Sequence, residues 1–180
     1  MAFIGIITSP EKETYTRNVL YRDFSSQHDQ VLFITKQNID NIKNIRFETI
    51  LIDTEDTLDE EILIKILKNS KNLIINSDIV DNINFITKSN LQLITFGFNQ
   101  KSTVTISSVT NENILMCIQR KIKNISGEII EPQEIKININ DNLRIIANTV
   151  IGVQILRFIY NKIWKKFIFL TVYVDKTKKV

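Results

Sequence analysis

Short apolar runs alternate with amphipathic stretches through the first 100 residues of the chain. This alternation is typical of parallel strands joined by crossover helices, because strands buried on both faces are almost wholly apolar. It predicts a mostly parallel sheet flanked by helices. The predicted strands are Phe3 to Thr8, Val31 to Thr35, Thr49 to Ile52, Leu73 to Asn76 and Leu91 to Phe96.

The clearest predicted helix lies between the third and fourth of these strands. Thr57 is its predicted N-cap, and Glu60 stands three residues later, as in a capping box. The acids of its first turn suit the positive end of the helix dipole. The apolar positions that we expect to face the sheet are Ile62, Ile66 and Leu67.

From residue 102 the apolar period changes to two, which is typical of antiparallel strands with one solvated face. The apolar positions of three such runs are Val104 and Ile106, then Ile114, Met116, Ile118 and Ile122, and then Ile135, Ile137 and Ile139. A helical period resumes from Asp141. We therefore predict one α/β domain over residues 1–180, with a parallel part at 1–100, a small antiparallel β appendage at 101–140, and a C-terminal helix and tail at 141–180.

Charge and cysteine content narrow the range of partners. The net charge is +3, and six lysines after residue 160 exceed that total, so the rest of the chain is slightly acidic. The chain thus lacks the broad basic surface that nucleic-acid binding needs. Cys117 is the single cysteine, and neither a secretory leader nor an uninterrupted apolar stretch of spanning length is evident. We expect a cytoplasmic protein without a transmembrane segment.

Three stretches carry a resemblance to a known family. Residues 4–14 are Ile-Gly-Ile-Ile-Thr-Ser-Pro-Glu-Lys-Glu-Thr, residues 73–78 are Leu-Ile-Ile-Asn-Ser-Asp, and residues 93–97 are Leu-Ile-Thr-Phe-Gly. In order and spacing they resemble the phosphate loop and two later strand ends of the Mur-type ATP-dependent amide ligases. The likeness extends over roughly residues 3–158, the extent of that family's central ATP-binding domain. It implies a P-loop-like fold.

The same resemblance implies a phosphate site that has lost most of its parts. Lys12 occupies the position of the family's phosphate-binding lysine, and Thr14 follows it. Thr8 and Glu11 replace both glycines, and Glu13 stands where a Mg²⁺-binding hydroxyl belongs. Since two carboxylates repel a triphosphate and the lost glycines no longer let backbone N–H groups turn inward, Lys12 and Thr14 are expected to be only the remnant of a cofactor site. We expect no bound cofactor.

A purely structural interpretation of this segment is also available. Ser9 is a good N-cap, Pro10 fits the first turn of a helix, and Glu11 and Glu13 favour the positive end of its dipole. Lys12 is then either solvated or paired with one of these two acids.

The other candidate residues favour neither catalysis nor a metal site. His28 is expected in a turn, and Cys117 has no neighbouring His or Cys to activate it. Two acidic groups at predicted strand ends are weighed as metal ligands but are better explained as loop and helix-start residues. These groups are Glu55 with Asp56, and Asn76 with Asp78 and Asp81.

These expectations favour a non-enzymatic binding or assembly module over two alternatives, a nucleotide-binding component of an amide ligase and a peripheral membrane protein. The C-terminal segment would contact a protein partner or a second copy of the chain, or else it packs on its own domain with its lysines outward. Its apolar residues are Ile155, Phe158, Ile159, Ile163, Trp164, Phe167 and Phe169. Membrane attachment would use Trp164 to Val174 with the flanking lysines.

Overall fold

A computed structural model describes residues 3–21, 30–42, 44–57, 59–79, 91–139 and 147–160. These ranges contain ten strands and four helices. In chain order they are β1 Phe3–Thr8, α1 Pro10–Tyr21, β2 Gln30–Ile34, α2 Ile39–Ile42, β3 Phe47–Asp53, α3 Glu60–Leu67, β4 Asn72–Asn76, β5 Gln92–Gly97, β6 Val104–Val109, β7 Asn113–Ile118, β8 Ile122–Lys123, β9 Ile129–Ile130, β10 Gln133–Asn138 and α4 Ala147–Ile159.

Eight of the strands form one twisted sheet in the order β10-β7-β6-β5-β4-β3-β1-β2. Neighbouring strands are parallel from β2 to β6, and β7 runs antiparallel to both β6 and β10. Strands β8 and β9 form a separate two-stranded antiparallel sheet. This architecture confirms the predicted α/β class, with a mostly parallel sheet, an antiparallel part and a C-terminal helix.

The antiparallel strands continue the main sheet because β6 starts where β5 ends. Only two residue pairs join these strands, Phe96 with Val104 and Gly97 with Thr105. The chain therefore does not have to return along the length of β5, and the short loop of residues 98–103 is enough to connect the two parallel strands. A parallel connection normally needs a crossover of a dozen residues or more.

The helices cover both faces of the sheet. Side chains alternate between the faces along each strand. On β1, for example, Ile6 packs in the core that includes α1 and α4, whereas Ile7 packs with α2 and α3. Because both faces are covered, the parallel strands are apolar throughout, which is the pattern that their sequence showed.

The segment between β2 and β4 differs from its prediction at two points. The N-cap of α3 is Asp59, whose Oδ1 accepts a hydrogen bond of 3.1 Å from the backbone N–H of Ile62, and Thr57 lies outside the helix. A carboxylate satisfies that donor and also favours the helix dipole, so it is the better cap. The short helix α2 was not predicted, because four residues are too few to show a period; its start is fixed by Asn38, whose side chain bonds the backbone of Thr35 and Phe33.

A third correction concerns Ile122. The alternating pattern predicted that Ile122 belongs to the same strand as Ile114, Met116 and Ile118. Strand β7 ends at Ile118, and Ile122 belongs to β8. After β7 the chain returns to the edge of the sheet where the parallel strands begin. There the side chain of Gln92, at the start of β5, bonds the backbone of Lys123.

Helix α4 is buried on almost every side, with eleven of its thirteen residues in the interior. Its backbone lies close to the sheet at Gly152, where an added Cβ would be 3.2 Å from side-chain atoms of both Leu51 and Phe96. At the C-terminal end of α4, the Tyr160 hydroxyl donates a hydrogen bond to Oγ1 of Thr49, which lies in the amino-terminal half of β3. The predicted helix start at Asp141 lies outside the described residues.

The C-terminal apolar residues divide between the core and the part of the chain that is not described. Ile155 and Ile159 are fully buried, and Phe158 packs against the same core. Ile163, Trp164, Phe167 and Phe169 lie outside the described residues. In the ranges given above, none of the helices combines the length and the apolar character needed to cross a membrane.

Candidate functional site

The candidate site lies at the carboxyl ends of the parallel strands, where the strand order reverses. Strand β1 lies between β2 and β3, and the connection after β1 leads to β2 whereas the connection after β3 leads to β4, in the opposite direction. In open α/β sheets, ligands bind in the crevice formed at such a reversal point. Thr8, the last residue of β1, is the register partner of Asp53, the last residue of β3.

Asp53 is the centre of a buried hydrogen-bond network at this point. It is 2% exposed and accepts hydrogen bonds from Lys12 Nζ at 3.2 Å, Asn76 Nδ2 at 2.8 Å and Thr149 Oγ1 at 2.8 Å. These donors come from α1, β4 and α4. A carboxylate can be buried only when charge and hydrogen bonds compensate for the lost water, and this network provides both.

Lys12 therefore pairs with an acid from a distant part of the chain. The expectation that it is either solvated or paired with Glu11 or Glu13 is corrected, because its side chain is 27% exposed and its ion-pair partner is Asp53. Glu13 instead pairs with Arg17 one turn further along α1, with a closest N–O distance of 2.6 Å. Glu11 is exposed.

The backbone between β1 and α1 is short, and two N–H groups at the start of α1 have their acceptor within it. Ser9 is the only residue between the two elements, and its carbonyl oxygen accepts hydrogen bonds from the N–H groups of Lys12 at 3.1 Å and Glu13 at 3.0 Å. Pro10 has no N–H to offer. This segment is a direct helix start, as the structural interpretation of Ser9 and Pro10 predicted.

Thr14, the second residue of the predicted phosphate remnant, is exposed on α1. The hydrogen bonds of the described residues do not join it to Lys12 or Asp53. The structure thus places Lys12 in the network at the strand ends and leaves Thr14 at the surface. It brings Thr8 to the same edge through the register with Asp53.

A second polar cluster, at the ends of β4 and β5, is built around Asp78. Its carboxylate accepts hydrogen bonds from the backbone N–H of Phe98 at 2.8 Å, the N–H of Asn99 at 3.2 Å and Nδ2 of Asn148 at 3.1 Å. Gly97 has φ +145°, and a Cβ there would lie 2.5 Å from Oδ1 of Asp78. The Asp78 carboxylate therefore connects the ends of β4 and β5 with the start of α4. These structural contacts account for the acceptor role of Asp78, and no ligand is needed to explain it.

The remaining sequence candidates do not converge on a site. Glu55 and Asp56 are exposed after β3, and Cys117 is a half-buried free thiol. In the part of the chain that the structure describes, no three His, Cys, Asp or Glu side chains are grouped as metal ligands. His28 and Asp81 lie outside that part.

Sequence reasoning missed Asp53 as the centre of the network. An acidic run begins at Asp53, and the residues weighed as ligands from that run were Glu55 and Asp56. The available signal was the position of Asp53 directly after an apolar strand, since the carboxyl ends of neighbouring parallel strands meet at one edge. Thr149 could not be assigned in the same way, because it comes from a helix 96 residues further along the chain.

Comparison of the chain with models of known protein families and with curated proteins finds no match to either. The likeness to the Mur-type ligases depends on the residues quoted above. Those residues form β1 with the start of α1, the end of β4 and the end of β5. All three stretches thus contribute to the same edge of the sheet.

Proposed function

We propose that this protein is a non-catalytic binding or assembly module, derived from a domain like the central domain of the Mur-type ligases, in which internal contacts have replaced the phosphate site. The observation that carries this proposal is the ion pair between Lys12 and Asp53. A lysine in a phosphate site must neutralise the charge of its ligand. Here the ammonium group already has a buried carboxylate as its partner.

The backbone of the same segment supports the proposal. A phosphate loop binds through N–H groups that turn toward the ligand. Two of the N–H groups at the start of α1 donate to the Ser9 carbonyl oxygen, and Pro10 has none. The exposed Glu11 adds a negative charge beside this helix start, and each close like-charge contact with a phosphate would cost on the order of 1 kcal/mol or more.

A nucleotide titration tests the loss of the phosphate site. A ligand at 100 times its Kd stabilises the folded state by about 2.7 kcal/mol, so binding is visible as a rise in Tm. We expect no change in Tm with millimolar ATP or ADP and Mg²⁺. A saturable rise that disappears in Lys12→Ala but persists in Lys136→Ala, an exposed lysine on β10 at the other side of the sheet, would contradict the proposal and favour the nucleotide-binding alternative.

The binding role is assigned to the C-terminal apolar segment. Ile155 and Ile159 are already buried in the core, so they complete the domain itself. The remaining apolar residues named for this segment are Ile163, Trp164, Phe167 and Phe169, and they provide more apolar surface than the end of α4 needs. We propose that they contact a protein partner or a second copy of the chain. The single free thiol, at Cys117, fits a cytoplasmic setting for this contact.

Light scattering of the full chain and of a chain truncated after Asn161 tests this assignment. We expect the mass of the full chain to rise with concentration and the mass of the truncated chain to remain that of a monomer. Sedimentation with acidic vesicles separates the membrane alternative. Salt-sensitive pelleting of the full chain, with no self-association in solution, would replace the assembly role by a membrane role.

A further inference from the structure

A cleft lies at the amino-terminal ends of the parallel strands, opposite the end that holds Asp53. It is a cleft of about 390 Å³ between the starts of β4 and β5 and the turn that joins β8 to β9. Its size falls within the range of small-molecule sites. We propose that this cleft binds a small organic anion. The proposal does not depend on the proposed function, because it uses none of the residues near Lys12 or in the C-terminal segment.

The walls of the cleft are fixed by their own hydrogen bonds. Oε1 of Gln92 accepts from the N–H of Lys123 at 2.8 Å, and Nε2 of Gln92 donates to Oδ1 of Asn72 at 3.0 Å and to the carbonyl oxygen of Lys123 at 2.9 Å. The turn is closed by Asn124, whose Oδ1 accepts from the N–H of Glu128 at 2.9 Å. The cleft is therefore formed before a ligand arrives, which lowers the entropic cost of binding.

The charge of the lining selects an anion. Lys71 and Lys123 line the cleft, and no carboxylate does so among the described residues. Lys71 Nζ lies 2.7 Å from Oε1 of Glu48, and an ammonium group has two further donors available. Within the described ranges, the Lys123 ammonium has no ion-pair partner. Lys123 is thus the less compensated of the two charges.

The Lys123 side chain lies near the turn. Gly127 has φ +86°, and a Cβ added at this position would lie 3.8 Å from Cε of Lys123. Lys123 is exposed, so its ammonium group is open to a ligand that enters from solvent.

An apolar residue at the same turn indicates that the anion has an organic part. Ile125 lines the cleft and is 47% exposed. Ile129, on the neighbouring strand, is 53% exposed. The amide groups of Gln92 are already used, so they do not recognise the ligand. We infer a ligand with one anionic group against the two lysines and a hydrocarbon part against Ile125.

Titration of the full chain with octyl phosphate, octanoate and inorganic phosphate tests this inference, with the backbone amide NMR signals of residues 123–127 as the readout. We expect saturable shifts of these signals, with octyl phosphate or octanoate binding more tightly than inorganic phosphate. Lys123→Gln should weaken binding about tenfold, the loss of one hydrogen bond to a charged group. Ile125→Ser should remove the preference for the octyl compounds.

Lys121→Gln is the matched control, because Lys121 lies on the same segment but pairs with Glu131 at 3.0 Å and does not line the cleft. It should leave the affinity unchanged. The inference is overturned if none of the three probes shifts the signals saturably at millimolar concentration. It is also overturned if Lys123→Gln and Lys121→Gln change the affinity equally.

Discussion

Lys12 Nζ lies 3.2 Å from Oδ1 of Asp53, so the first helix is joined to the end of the third strand by an ion pair. The other oxygen of the same carboxylate accepts a hydrogen bond from Thr149 on α4. One side chain thus connects β3 with the two helices that cover one face of the sheet. Ligands of open α/β sheets bind at this edge, and here it holds a network of the protein's own side chains.

Asp53→Ala should lower the free energy of unfolding by about 3 kcal/mol. The substitution leaves the buried donors of Asn76 and Thr149 without an acceptor, and each unsatisfied group costs on the order of 1–3 kcal/mol. Urea denaturation measures the change. Asp56→Ala, at an exposed position in the same acidic run, should change stability by less than about 0.5 kcal/mol. Equal effects of the two substitutions would contradict the structural role of Asp53.

Gly97→Ala should destabilise the fold for two separable reasons. Its φ of +145° costs on the order of 1–3 kcal/mol for any residue with a Cβ, and that Cβ would also contact the Asp78 carboxylate. In an Asp78→Ala background the contact is gone, so Gly97→Ala should cost less there. A double-mutant cycle measured by urea denaturation gives the difference.

Gly127→Ala is the control for the backbone contribution alone. Gly127 also has a positive φ, but an added Cβ would meet only Lys123 Cε, at 3.8 Å. Gly127→Ala should lower the free energy of unfolding by the same amount in the Asp78→Ala background as in the unmodified chain. Strict additivity of Gly97→Ala and Asp78→Ala would show that the two residues do not compete for space.

Arg157 should give the protein an unusual stability profile at alkaline pH. Burial lowers the pKa of Arg157 well below its usual range, to about 10. Because the folded value is below the unfolded one, the unfolded chain binds more protons above about pH 10, and this residue's contribution to stability rises with pH there. Below pH 10 the guanidinium is charged in both states, and the full cost of burying it is present.

Removing the buried polar pair on α4 should therefore stabilise the protein at neutral pH. Arg157 donates to Oε1 of Gln154, whose Nε2 is buried without a partner in the described structure. We expect Gln154→Leu with Arg157→Met to raise the free energy of unfolding at pH 7 by about 1–3 kcal/mol, and the gain to shrink above pH 10. Arg120→Met, at an exposed position, should show neither effect. A loss of stability at pH 7 would contradict the prediction.

The architecture could be predicted from sequence because its signals are local. Apolar runs in the first 100 residues identified five parallel strands, and the period of two identified β6, β7 and β10. The N-cap of α3 was assigned to Thr57 instead of Asp59. Both residue types cap helices, so the choice depends on where the helical backbone starts, which the sequence does not show. Helix α2 has only four residues, which are too few to show a helical period.

The network at the strand ends could not be predicted in the same way. Lys12 and Asp53 are 41 residues apart, and they meet only because β1 and β3 are neighbours in the sheet. Sequence patterns predict which segments are strands, but they do not give the strand order. Without that order, the nearby Glu11 and Glu13 were the natural partners to consider for Lys12.

The Tyr160 hydroxyl begins a series of hydrogen bonds along the amino-terminal ends of β3, β4 and β5. It donates to Thr49, Nδ2 of Asn72 donates to the same oxygen, and Gln92 links Asn72 to the backbone of Lys123. The end of α4 also contacts the β8–β9 turn directly, because the N–H of Ile125 donates to the carbonyl oxygen of Ile159 at 2.9 Å. Fraying of the last turn of α4 would therefore also expose an amide of this hairpin to hydrogen exchange.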